Sequence, residues 1–222
     1  NPNDQILKEY EYKQNLWEVQ YKKLLKIKNV KSVTLNNQAI SLMANIEDLD
    51  DIKTVLESRA SGIGLFRTEF LFMNREDLPD EEEQFNTYKS IAKSMKGKPV
   101  VIRTLDSGAD KTTAADTIKA TNPALGLRAI RLCLSHPHLF LTQLKAILRA
   151  SAFGNIKILI PMLSSLGELK QVKMLIKRAK DSLIYEGINF DADIQVGGMI
   201  EIPAVAINAE AFAKELDFLS VG

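Results

Sequence analysis

Apolar positions recur along this chain in two rhythms. Residues 4 to 28 are rich in charge and free of Gly and Pro, and Ile6, Leu7, Tyr10, Trp17, Tyr21, Leu24 and Leu25 return at roughly helical spacing. The pattern predicts one long amphipathic helix that leads into the next unit and packs on it or on a partner. From residue 38 the texture changes. Short apolar runs suited to buried strands occur at residues 40–44, 62–66, 100–102, 156–160, 196–200 and 218–221. Helical stretches lie between them: Glu47 to Ser58, Pro79 to Met95, His138 to Ala150, Leu166 to Leu183 and Pro203 to Glu215. In the fourth of these, Leu166, Leu169, Val172, Leu175, Ile176 and Ala179 share one face. Alternating strands and helices of this kind predict a parallel sheet covered by helices, an α/β fold.

The runs number six. Eight would close a (β/α)₈ barrel, while six also suit an open doubly wound sheet. No Gly-x-Gly-x-x-Gly follows the first strand, so a dinucleotide crevice is not indicated. Gly62-x-Gly64 precedes a strand core instead of opening a helix, and reads as a turn or a place of tight packing. The chain stops at Gly222, after an apolar strand with no covering helix. A terminus there would leave a strand edge open, so the expectation is a TIM-type barrel with about six of its eight strands present. On this reading residues 1–30 are a linker helix and 31–222 a partial barrel domain.

Composition narrows the class. With 222 residues, 45% of them hydrophobic, the chain has material for one large core. Basic and acidic residues number 29 and 28, so no electrostatic footprint for nucleic acid or an acidic membrane emerges. Cys133 is the single cysteine, which suits a reducing compartment. No apolar run reaches the ~18 residues of a membrane-span candidate, and Asn1 to Asp4 do not resemble a signal peptide. The expectation is a soluble, cytoplasmic piece without membrane insertion.

Candidate chemistry sits at strand ends. Arg67, Arg103 and Glu201 each directly follow an apolar run. In parallel α/β folds the carboxyl ends of the strands carry the ligand site. Two arginines at one pocket suit a phosphate or carboxylate, because guanidinium forks bind such anions bidentately. Glu201 would repel that ligand unless a cation came between them, and Mg²⁺ takes one or two carboxylates with substrate oxygens and water. The alternative is internal pairing of Arg67 or Arg103 with Glu69, Asp106 or Glu201, and spacing alone does not choose. The polar loop Thr104 to Lys111 follows Arg103 on the same face, with Lys111 within reach of a phosphate as a point charge. Arg128 and Arg131 share a face of the short helix that follows residues 122–126.

Other groups carry less. His136 and His138 flank Pro137 near Cys133, without the four spaced ligands that structural zinc requires, and they read as a helix start. Cys133 and Ser151 lack a nucleophile-elbow context. Phe70, Phe72 and Met73 read as packing residues.

The longer motifs are specific. Gly62 to Met73 (GIGLFRTEFLFM), Pro79 to Phe85 (PDEEEQF), Val101 to Asp106 (VIRTLD), Gly108 to Lys111 (GADK), Asn122-Pro123 with Gly126 to Arg131 (GLRAIR), Gln143 to Gly154 (QLKAILRASAFG) and Met199 to Ala204 (MIEIPA) span the chain. Together they resemble Enzyme I of the bacterial phosphotransferase system. The resemblance implies the phosphoenolpyruvate-binding barrel of an enzyme that moves the phosphoryl group of phosphoenolpyruvate onto a histidine, releases pyruvate and passes the group to the carrier HPr. It also implies a cytoplasmic homodimer when intact, with HPr met through an upstream domain. By motif, Arg67, Arg103 and Lys111 would hold the phosphate, Arg128 would support the same end of the pocket, and Glu201 would be one of two Mg²⁺ ligands.

The sequence departs from that pattern in three ways. The family's Thr-Asn-Asp-Leu stretch, with the second Mg²⁺ ligand and a substrate-binding asparagine, does not occur, nor does its enolate-protonating cysteine; Cys133 stands in another context. Neither His136 nor His138 matches the phosphorylated histidine. Residues 112–121 lack the family's Leu-Pro-Tyr pattern. The expectation is therefore part of a binding site without a catalytic residue. Remaining alternatives are a non-catalytic regulatory or dimerisation module and a nitrogen-system or pyruvate-dikinase relative.

Overall fold

Six parallel strands lie side by side in chain order in this computed structural model, which describes residues 2–73, 75, 77–107 and 126–222. The strands are β1 (Ala44–Ile46), β2 (Ile63–Arg67), β3 (Val100–Arg103), β4 (Ile156–Ile160), β5 (Val196–Ile200) and β6 (Phe218–Val221). A doubly wound sheet reverses its order at a switch point. Here the order runs β1 to β6 without reversal, so the sheet is six strands of a TIM-type barrel.

Helix α1 (Asp4–Ile27) starts where the Asn3 side chain accepts the Ile6 N–H at 2.9 Å. None of its residues is buried within this chain, and Trp17 and Tyr21 stack on each other at 5.1 Å. Its last turn borders an apolar cleft against Val30, Ile40, Leu42 and Ala60, at the amino ends of β1 and β2.

The remaining helices are α2 (Asp51–Glu57), α3 (Glu81–Ser94), α4 (Ala129–Ser135), α5 (Pro137–Ser151), α6 (Leu166–Tyr185), α7 (Pro203–Ile207) and α8 (Ala209–Ala213). Local chemistry sets their ends. Asp80 caps α3 by accepting the Glu83 N–H at 2.8 Å, and Glu81, Glu82 and Glu83 complement the dipole of its first turn. Ser165 and Glu168 form a capping box on α6. Pro137 begins α5 because a helix's first turn needs no N–H from that residue. The single helix expected from Pro203 to Glu215 is instead α7 and α8, broken at Asn208 (φ −109°, ψ 26°).

The sheet has two faces, and each is apolar. On the helix side Phe66, Val100, Ile102, Ile158 and Ile160 join the main core, where α5 packs between α3 and α6. On the other face Val101, Leu159 and Met199 pack with Leu65 and Phe218, as the interior of a barrel requires. Gly197 lets this happen: the Phe218 ring lies 2.3 Å from where a β-carbon on Gly197 would stand.

One strand reading is corrected by pairing. The first strand, expected at residues 40–44, is Ala44–Ile46. Ile40, Leu42 and Met43 are 46, 61 and 38% exposed at the rim, and strand pairing with β2 begins at Ala44, with a register shift between Ala44 and Asn45. Arg67 and Arg103 stand at the carboxyl ends of their strands, as expected, and are the last residues within them. Of the aromatic residues read as core or interface packing, Phe72 is buried in the core and Phe70 is 45% exposed on the 3₁₀ turn Thr68–Phe72.

Candidate phosphate site at the strand ends

Arg67 and Arg103 end adjacent strands and are direct register partners. Residues two apart on a strand share a face. Arg67 lies two beyond Leu65 and Arg103 two beyond Val101, so both project from the barrel-interior face. A register shift in β2 between Ile63 and Phe66 sets this phase. Both of those residues join the helix-side core, while Leu65 takes the interior.

Carboxylates surround the arginines. Arg67 forms an ion pair with Glu47, the residue after β1. Arg103 pairs with Glu69 at 2.5 Å and with Asp106 at 3.3 Å, and these three side chains are only 12, 14 and 10% exposed. Asp106 also accepts from Arg128 at 3.0 Å. The internal pairing of Arg103 with Glu69 and Asp106 is thus realised. Arg67 takes a partner that the sequence reading did not name, and no ion pair joins either arginine to Glu201 among the described residues. Glu47 was missed because the first strand was placed too early: with the strand at Ala44–Ile46, Glu47 stands at a strand end like Arg67.

Neutralisation does not exhaust these groups. The Nε atoms of Arg67, Arg103 and Arg128, with Glu69 Oε2 and Thr104 Oγ1, are buried without a hydrogen-bond partner among the described residues. Most buried polar atoms are paired, and a guanidinium has five donors, more than one carboxylate uses. Three orphaned Nε–H donors in one cluster suit an anion. Burial pushes the Glu69 carboxyl above its ordinary pKa, and Arg103 pulls against that rise.

Glu201 follows β5 on the same end of the sheet. Its Oε1 accepts the Met162 N–H at 2.6 Å, and Met162, in the loop after β4, has the left-handed φ of 56°. No group of three or more His, Cys, Asp or Glu gathers among the described residues. The described residues thus supply no ligand set for an all-protein metal cage. A Mg²⁺ held through one carboxylate, with its shell filled by ligand oxygens and water, fits them. Lys111 lies outside the described residues, as does the preceding Gly108-Ala109-Asp110.

The weaker candidates resolve as structure. His136 lies at the junction of α4 and α5, with Nδ1 2.9 Å from Ser135 Oγ. Cys133 is buried, and burial pushes its thiol up to about 12, which leaves it inert as a nucleophile. Ser151 donates to Leu148 O at 2.6 Å and accepts the Asp191 N–H at 2.8 Å, so it is a packing residue.

Comparison with known proteins agrees with the motifs. The family described as "PEP-utilising enzyme, PEP-binding domain" matches residues 21–222. The chain is 47% identical over 223 residues to the phosphoenolpyruvate-protein phosphotransferase of Priestia megaterium, which covers 100% of this chain and 39% of that protein. It is 45% identical, with the same coverage, to the protein of that name from Bacillus subtilis (strain 168). It is 47% identical over 226 residues to the one from Cupriavidus necator, again 39% of whose length it spans. The sequential parallel sheet, the arginines at its carboxyl end and a family match over residues 21–222 converge: this chain belongs to the PEP-binding domain family of the PEP-utilising enzymes.

Proposed function

We propose that this chain is the phosphoenolpyruvate-binding part of a phosphoenolpyruvate–protein phosphotransferase, which transfers the phosphoryl group to a histidine and on to HPr. The observation that carries the reading is the register pairing of Arg67 with Arg103 at the carboxyl ends of β2 and β3, each with a buried Nε–H that has no partner among the described residues. Arg67 and Arg103 bind the phosphate, and Lys111 adds a point charge. Arg128 supports the same end through Asp106, which it shares with Arg103. Charge held in place by fixed guanidinium groups is what a loose phosphoryl-transfer transition state needs. Glu201 is the Mg²⁺ ligand on this chain, fixed through its bond from the Met162 N–H. Bound there, the ion would neutralise charge on the phosphate and enolate oxygens. The resemblance extends the proposal to a cytoplasmic homodimer serving sugar uptake, with HPr met through a domain outside these residues. None of the described residues is assigned the phosphorylated or the proton-donating role.

The test is kinetic, in the full-length protein. Arg67→Ala and Arg103→Ala should each raise the phosphoenolpyruvate requirement and slow transfer by at least ~10²-fold, the scale of lost charge-assisted contacts. Near-normal kinetics in both variants would remove the assignment.

A further inference from the structure

Behind the arginines a buried polar chain runs through the helix-side core. Gln143, on α5, is 1% exposed, Thr68 and Gln84 are fully buried, and so is Tyr88. Gln84 Nε2 donates to Pro79 O at 3.0 Å, and Tyr88 OH donates to Gln84 Oε1 at 3.0 Å. Gln143 Nε2 donates to Tyr88 OH and to Thr68 Oγ1, each at 3.2 Å, while Gln143 Oε1 accepts the Leu105 N–H at 2.9 Å. Thr68 Oγ1 donates onward to Arg103 O at 2.9 Å.

The direction of every bond follows from the ends. Leu105 N–H can only donate and Pro79 and Arg103 carbonyls can only accept, so both amides have one orientation. Burial raises the Tyr88 phenol far above its ordinary pKa, which keeps it an O–H donor. Each side-chain group in the relay has a partner, which is the condition under which a buried polar network rigidifies a core instead of weakening it.

What the network grips is the backbone of the site. Gln143 holds Leu105, one residue before Asp106 and two after Arg103, and it holds Thr68, between Arg67 and Glu69. Thr68 in turn holds the carbonyl of Arg103 itself. An apolar core residue at 143 would fill the same space without fixing either segment.

We propose that Gln143 is a positioning residue for phosphoenolpyruvate: through Thr68 and Leu105 it sets the backbone that aims Arg67, Arg103 and Asp106. The inference rests on the functional reading above and adds a residue with no contact to the ligand. Misplacement of a binding group by about 1 Å is enough to slow a reaction ~10²-fold, so the effect should be visible at a distance.

The experiment uses the full-length protein and three substitutions. Gln143→Met keeps length and volume but removes both amide functions. Thr68→Val removes the bond to the Arg103 carbonyl and leaves Leu105 held, so it serves even if the first variant folds poorly. Tyr88→Phe breaks the same network on the side away from the arginines. The expected result is a KM for phosphoenolpyruvate raised about tenfold or more in Gln143→Met. Thr68→Val should shift it in the same direction, and Tyr88→Phe should stay within twofold of the parent despite a lower melting temperature. Unshifted KM values in Gln143→Met and Thr68→Val, in a protein that uses phosphoenolpyruvate normally, would overturn the inference alone. So would an equal shift in Tyr88→Phe, which would mark the network as general core. An unsubstituted protein indifferent to phosphoenolpyruvate would overturn the functional reading and this inference with it.

Discussion

Arg103 both binds and stabilises, and one pair of substitutions separates the roles. Arg103→Met keeps the stem's apolar volume and removes the charge. It strands Glu69, 14% exposed, while Asp106 keeps Arg128 at 3.0 Å. Removing one partner of a buried pair costs about 3–5 kcal/mol, because the other charge stays buried and uncompensated. For a domain of this size each kcal/mol moves the melting temperature roughly 2–4 °C, so the transition should fall roughly 6–20 °C. Adding Glu69→Gln removes the stranded charge and should recover most of that loss. The double variant should remain deficient in phosphoenolpyruvate binding, since the guanidinium is still missing. The deficit also depends on pH. Arg103 is what holds the raised Glu69 carboxyl down, so in Arg103→Met its pKa rises further above its unfolded value. A carboxyl raised on folding contributes stability that is full below the unfolded pKa and lost as pH rises through the folded one. The gap between parent and Arg103→Met should therefore widen with rising pH from about 4.5 upward. Calorimetric melting across that range, beside phosphoenolpyruvate titration at neutral pH, checks all three points. A gap below about 1 kcal/mol, or one independent of pH, would show that the Glu69–Arg103 pair carries no buried-charge penalty.

Two further outcomes follow from single contacts. Gly197→Ala places a β-carbon 2.3 Å from the Phe218 ring, so the ring must move and the unfolding free energy from denaturant titration should fall by about 1–3 kcal/mol; Gly167→Ala, whose nearest neighbour would be 3.6 Å away, should be close to neutral. Glu201→Gln keeps an acceptor for the Met162 N–H but loses the charge, so folding should be unchanged while half-saturation by Mg²⁺ moves to much higher concentration in activity titrations; an unmoved half-saturation point would make Glu201 a purely structural anchor.

Much of this protein was legible from periodicity. The last three strands, Ile156–Ile160, Val196–Ile200 and Phe218–Val221, fall on the expected runs, and α6 starts at the expected Leu166. Buried strands and amphipathic helices carry their signal in neighbouring residues, since side-chain direction repeats every two or 3.6 positions. The placement of Arg67, Arg103 and Glu201 at one end of the sheet follows from the same logic, because parallel strands share a direction.

What the sequence could not decide depends on partners distant in the chain. Apolarity alone put the first strand at residues 40–44, but pairing with β2 starts the strand at Ala44 and so brings Glu47 to Arg67. The choice between a barrel and a doubly wound sheet required the order of the strands, which no local pattern encodes. A register shift within β2, invisible in composition, turns Leu65 and Arg67 to the barrel interior. Gln143 opens a run that the motifs single out, but no pattern in the chain says that folding sets it against Thr68 and Tyr88, 75 and 55 residues away. Sequence determines which residues are apolar and how they repeat; which charge meets which, and which amide is buried against which backbone, is decided only when the strands are in register and their ends share one low-dielectric face.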